Sequence, residues 1–141
     1  MQKVTFRFTF ESDWRSAPLA FWVHIPMSEP PHTWMPIAPA EVLHKGFPTL
    51  RVELGQHELR FSSPAQLMHC IEVLSTTPLP TTRQLSVKRG TRAGPDGHWL
   101  SRLPAKLKSP RKRAQVVEVL RNVYAETVQD GTSFKLPTAV F

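Results

Sequence analysis

LRVELGQHELRFSSPAQLMHCIEVL, residues 50–74, contains the pattern of a β-hairpin followed by a helix. Apolar and charged residues alternate on both sides of Gly55 and Gln56, which is the spacing of strands that have one buried face. A glycine at the first position of a two-residue connection is typical of a tight hairpin turn. The charged positions carry both signs, so we expect that face of the hairpin to contact solvent.

The helix begins directly after the hairpin. Ser63 is a favourable N-cap and Pro64 a favourable first helical residue. Leucine and isoleucine recur at helical spacing through residues 67–74, and the Thr/Pro-rich stretch 76–80 ends the pattern. We expect the apolar side of this helix to cover one face of the sheet.

Two stretches before the hairpin predict further strands. Val4, Phe6, Phe8 and Phe10 alternate with polar residues, and three phenylalanines on one face are expected to lie in the core rather than form a ligand platform. Residues 19–25, LAFWVHI, are nearly continuously apolar and predict a second strand.

A proline-rich stretch, residues 26–39, contains five prolines around Trp34 and Met35. Proline fixes φ and lacks an N–H donor, so this stretch predicts an extended loop rather than a helix or a central strand. An extended proline-rich loop is also a candidate binding site for a protein partner.

The second half of the chain predicts a second long helix over residues 110–128. Ser109 and Pro110 repeat the start signal found at the first helix, and an apolar stripe follows. Before it, residues 98–103 predict one or two helical turns. Trp99 there could stack on a base, but its apolar neighbours favour burial.

These patterns together predict an α+β fold in a single domain, residues 1–141. A mostly antiparallel sheet is expected to carry two principal helices packed on one side. Residues 85–87 permit a short edge strand, and residues 133–141 are a candidate last strand of the sheet.

The positive charge of the chain is local. The net charge is +7, yet residues 1–80 and 122–141 carry −1 each, and residues 81–121 carry +9. All eleven cations of that last stretch lie within residues 83–121, which we call the basic segment. Such clustering is the electrostatic footprint of a polyanion site. A solvated surface that only aids solubility is the alternative, but solubility requires no segregation of charge.

The most informative part of the basic segment is Arg111, Lys112 and Arg113, in the first turn of the second predicted helix. Cations there oppose the helix dipole at a cost of about 0.3–1 kcal/mol each, and Lys112 stands where a capping-box acid is expected after Ser109. A bound phosphate would resolve the conflict, because it would meet free N–H groups and cations together. The alternative is that the three side chains simply extend into water.

Residues 88–97 add three cations and three glycines, and predict a mobile loop that adapts to a phosphate backbone. Arg102 binds a phosphate or pairs with Asp96 or Glu118. Arg121 extends into water or pairs with Glu118 or Glu126. The candidate nucleic-acid-binding residues are Lys88, Arg89, Arg92, Arg102, Lys106, Lys108, Arg111, Lys112 and Arg113.

The sequence carries no catalytic or cofactor signature. It contains no P-loop, no GxGxxG and no GxSxG pattern, and its six histidines lack metal-ligand spacing. Cys70, the only cysteine, falls on a predicted helix and is expected to be a buried thiol. We therefore expect no enzyme, no metal and no cofactor.

The basic segment thus predicts a nucleic-acid-binding module. We expect a cytoplasmic location, because no signal peptide, membrane span or disulfide pattern is present. Binding would be mainly to phosphates and weakly sequence-selective, with single strands slightly favoured and RNA or DNA left open. The alternative is a non-catalytic protein-interaction subunit of a larger complex, with or without nucleic acid, whose partner binds the proline-rich loop, residues 26–39, or an open sheet edge.

Overall fold

Three antiparallel strands form the main sheet of the computed structural model, which describes residues 4–26, 34–76, 79, 99–128 and 133–135. The main sheet has the order β1-β4-β5, and β2 and β3 pair separately. In chain order the strands are β1 (Val4–Glu11), β2 (Ile25–Pro26), β3 (Trp34–Met35), β4 (Phe47–Leu54) and β5 (His57–Phe61).

The predicted hairpin is formed by β4 and β5. Gly55 lies in its turn with φ at +65°, a conformation that glycine adopts without a Cβ clash. On the polar face, Arg51 pairs with Glu11 at 3.2 Å and with Glu58 at 2.8 Å. The charges of both signs predicted for this face therefore neutralise one another across all three strands.

Two long helices lie beside short helical turns. The α-helices are α1 (Ala20–Val23), α2 (Pro64–Ser75), α3 (Ala105–Lys108) and α4 (Pro110–Thr127), and two 3₁₀ turns span Trp14–Ser16 and Trp99–Arg102. Both long helices begin where the Ser-Pro signals predict, and α4 ends one residue before the predicted end. No helix in the described part of the chain is long and apolar enough to cross a membrane.

The core lies between the sheet and the two long helices. Leu50 and Phe61 of the hairpin, Leu67 of α2, and Val116 and Leu120 of α4 are fully buried in one cluster. The predicted α+β class, with an antiparallel sheet and two principal helices on one side, is confirmed.

The strand predicted over residues 19–25 was wrong for most of its length. The chain forms one helical turn there, α1, and only Ile25 enters a strand. A short apolar run fits a helical turn and a strand equally well. Tertiary packing decides the outcome, since Leu19, Ala20 and His24 are all buried.

The phenylalanine face of β1 is only partly in the core. Phe6 is 38% exposed, and Phe8 and Phe10 are half-buried, because β1 is an edge strand of the described sheet. The ring of Phe8 packs edge-on against Phe134 at 5.4 Å. Phe134 bridges to Val128 after α4, so the described part of the predicted last strand does not join the sheet.

Candidate nucleic-acid interface

The structure describes five of the nine candidate side chains. Lys88, Arg89 and Arg92 lie outside the described residues, as do the edge strand predicted at 85–87 and the side chain of Arg102. The five described cations are Lys106 and Lys108 on α3, and Arg111, Lys112 and Arg113 in the first turn of α4.

These five cations lie within eight residues, around the junction of α3 and α4. Ser109 is the only residue between the two helices, and its extended backbone changes the chain direction there. Leu107 is buried in the core, and its N–H donates to the Pro104 carbonyl at 2.9 Å. The buried leucine therefore fixes a short helix whose neighbouring lysines lie near the surface.

The start of α4 lacks a side-chain cap. The hydroxyl of Ser109 donates to the Lys106 carbonyl at 3.3 Å and accepts no N–H from the helix. The first turn contains no acidic residue. At α2, by contrast, Ser63 accepts the N–H of Gln66 at 3.2 Å. The positive end of the α4 dipole is thus offset neither by a side-chain cap nor by a carboxylate in the first turn of the helix.

None of the five cations forms an ion pair within the described part of the chain. Arg113 makes one polar contact, in which its Nη1 donates to the Lys108 carbonyl at 3.2 Å. Arg7, Arg15 and Arg51, in the first half of the chain, all pair with carboxylates. The uncompensated charge is therefore concentrated at the α3–α4 junction.

Arg121 lies further along α4 and is exposed. It forms an ion pair with neither Glu118 nor Glu126 in the described structure. Of the two interpretations of Arg121, extension into water is the one observed.

Trp99 is a core residue. Its ring is buried, and its Nε1–H donates to Nε2 of His69 on α2 at 3.1 Å. Burial lowers the pKa of His69 to about 4, so this imidazole is neutral at pH 7 and can accept the bond. Trp99 therefore anchors the start of the described basic segment to α2, and its ring is not available for a base to stack on.

Sequence reasoning missed a buried hydrogen-bond chain at His24. Its Nδ1–H donates to the Pro36 carbonyl at 3.0 Å, and its Nε2 accepts from the hydroxyl of Ser63 at 2.8 Å. Burial lowers the pKa of His24, and the Trp14 ring packs edge-on against it at 5.1 Å. In hydrolase triads the imidazole bonds to a carboxylate, whereas the third group here is a main-chain carbonyl, and the side chains of His24 and Ser63 are both buried.

Neither the cysteine thiol nor the metal-ligating residue types form a second candidate site among the described residues. Cys70 is fully buried, and burial raises the pKa of its thiol. Among the described residues, no three His, Cys, Asp or Glu side chains lie close enough to hold a metal ion. The α3–α4 junction is therefore the candidate site that the described side chains favour.

Comparison of the chain with models of known protein families, with curated proteins and with solved structures found no match.

Proposed function

We propose that this chain is a nucleic-acid-binding module that holds backbone phosphates at the α3–α4 junction. The observation that carries the proposal is the group of five cations, without ion pairs in the described structure, around an uncapped helix start. A phosphate there would accept hydrogen bonds from the first N–H groups of α4 and lie at the positive end of its dipole. It would break no ion pair of the described residues on entering.

The anchoring of the junction supports this proposal. Leu107 and Trp99 are buried, so the helices that carry the cations are fixed to the core on both sides of Pro104. Cations on a fixed surface lose less conformational freedom on binding than cations on a free tail. The burial of Trp99 also removes the only aromatic ring of the basic segment's described part on which a base could stack, which favours phosphate contacts at the junction.

The experiment is fluorescence-anisotropy binding to labelled single-stranded RNA, single-stranded DNA and duplex DNA over a salt series. Five phosphate contacts predict a log–log salt slope of about −3.5 for single strands and about −4.5 for duplex. The variant Arg111→Ala/Lys112→Ala/Arg113→Ala should flatten the single-strand slope by about 2 and weaken binding to every sequence.

The matched control is Arg15→Ala/Lys45→Ala/Lys135→Ala, which removes three exposed cations from outside the basic segment. Its net charge equals that of the junction variant, so it should bind nearly as the wild type does. Equal losses in the two variants would mean that net charge alone drives binding, and a salt slope near zero in the wild type would end the proposal.

A second candidate function is that of a non-catalytic protein-interaction subunit of a larger complex, with or without nucleic acid. It is favoured by exposed apolar side chains at the ends of the proline-rich loop, whose residues 27–33 lie outside the described part. Ile25 is 37% exposed opposite Met35, which is 60% exposed, and Ile37 is 75% exposed. Exposed apolar patches of this kind often mark protein contacts.

Sedimentation analysis of the free chain tests this second candidate. The wild type should associate at concentrations where Met35→Lys/Ile37→Lys remains a monomer. Leu43→Lys, which changes an equally exposed side chain in the turn before β4, is the control and should behave as the wild type. A wild type that remains monodisperse would count against the interaction-subunit function.

A further inference from the structure

An open cleft lies between the last turn of α2 and residues 110–122 of α4. Its volume is about 910 Å³, within the range of sites that bind small organic groups. The floor is apolar, since Leu74 of α2 and Val117 of α4 are buried there and Leu79 packs against the same core cluster. Exposed residues of α4 such as Ala114 form the outer wall, and no other described residue covers the cleft on that side.

Two arginines mark the rim of the cleft. Arg113 and Arg121 both line it, and eight helical residues separate them by about 12 Å along the axis of α4. At that spacing of their Cα atoms along the helix, the two guanidinium groups can each contact a different phosphate of one strand. Arg113 also belongs to the α3–α4 junction, so the cleft is continuous with the proposed phosphate site.

Two other polar groups of the rim can form hydrogen bonds with the edge of a base. Glu118 and Asn122 line the cleft on the exposed side of α4, and Glu118 forms no ion pair in the described structure. A carboxylate accepts hydrogen bonds from exocyclic amino groups, and an amide both donates and accepts. The carboxylate also repels phosphate, which directs the strand's charge toward the two arginines.

We propose that this cleft binds an unstacked nucleobase of a single-stranded nucleic acid, with the neighbouring phosphates on Arg113 and Arg121. The flat apolar ring of the base would lie on the apolar floor, and its polar edge would meet Glu118 and Asn122. The flanking phosphates would meet the two arginines of the rim. The inference rests on the proposed function and deepens it, because a paired and stacked base in a duplex cannot enter the cleft.

The test blocks the cleft without altering its charge. Ala114→Cys introduces a thiol on the exposed wall, and the native Cys70 is fully buried and does not compete for the reagent. The thiol is labelled with N-cyclohexylmaleimide, a neutral aliphatic group that occupies the part of the cleft beside position 114 and cannot stack as an aromatic ring would. Ala125→Cys, exposed on α4 outside the cleft, is labelled in the same way as the matched control.

Each protein is titrated with a single-stranded DNA octamer, an RNA octamer and an abasic phosphodiester octamer of equal charge. Unlabelled protein should bind the base-containing octamers about tenfold more tightly than the abasic one, the gain expected from burying about 60 Å² of apolar base surface on the cleft floor. Labelling at position 114 should abolish that preference and leave abasic binding unchanged, while labelling at position 125 should leave the preference intact.

Salt-dependent binding with no preference for bases would overturn the cleft inference and leave the proposed phosphate site standing. The cleft inference also fails if the preference for bases survives labelling at position 114. Absence of binding to all three octamers at low salt would remove both the proposed function and the inference that rests on it.

Discussion

Acidification should weaken the fold through the His69–Trp99 contact. Burial lowers the pKa of His69 to about 4, against about 6.5 for a free histidine. The unfolded chain therefore binds the proton more tightly, so stability is complete above pH 6.5 and falls as the pH approaches 4. The loss reaches about 2 kcal/mol at pH 5 and about 3 kcal/mol at pH 4.

The structure explains why protonation is unfavourable there. Nε2 of His69 accepts the Trp99 Nε1–H at 3.1 Å, and a protonated Nε2 would meet that donor with a second donor. His24 acts in the same direction, because burial also lowers its pKa. The carboxylates with lowered pKa values, Glu11 and Asp13, titrate below the window from pH 7.5 to 5.

Urea unfolding followed by tryptophan fluorescence measures this effect at pH 7.5 and at pH 5. His69→Gln keeps an acceptor for Trp99 but cannot titrate, so it should lose about 2 kcal/mol less than the wild type over this interval. His57→Gln, on β5 and away from this contact, should retain the full loss. An equal acid loss in the wild type and His69→Gln would refute the assignment.

Three further substitutions test a helix cap, a buried polar group and a close backbone contact. The effect of each is measured as a change in the free energy of unfolding in urea. Ser63→Ala removes the cap of α2 and leaves Nε2 of buried His24 without a donor, so it should cost about 2–3 kcal/mol. Gln115→Met should stabilise the fold by about 1 kcal/mol, because the buried Oε1 of Gln115 has no hydrogen-bond partner among the described residues. An unchanged free energy of unfolding would mean that this oxygen has a hydrogen-bond donor after all. Gly46→Ala should cost more than about 2 kcal/mol, since a Cβ there would lie 2.6 Å from the Glu11 carbonyl oxygen and φ is +111°; unchanged stability would contradict the strand contact.

Local signals in the sequence predicted the elements whose cause is local. The turn at Gly55 and the Ser-Pro starts of α2 and α4 depend on residues within a few positions of one another. Residues 19–25 show the limit, because an apolar run of that length fits a helical turn as well as a strand. Only the buried surroundings of α1 select between them.

At the candidate site, too, the sequence did not predict the contacts that individual side chains make. Ser63-Pro64 and Ser109-Pro110 are identical as sequence signals, yet the Ser63 hydroxyl caps its helix and the Ser109 hydroxyl bonds back to a carbonyl of α3. The bond between His24 and Ser63 joins residues 39 positions apart, and no spacing rule predicts it. The cationic residues of the junction were predictable, whereas their freedom from ion pairs with the described acids depends on where the fold places those acids.

That freedom is a stronger argument for a polyanion site than the net charge. The chain carries enough acids to pair many of its cations, and on the sheet it does so: Arg51 alone contacts two carboxylates from two strands. At the α3–α4 junction five cations stand within eight residues without one such contact in the described structure. Mutual repulsion and the opposed helix dipole make that arrangement unfavourable in the free protein. A surface that needed only solubility would be served equally well by the paired pattern of the sheet, so an external anion accounts for the junction better than solvation does.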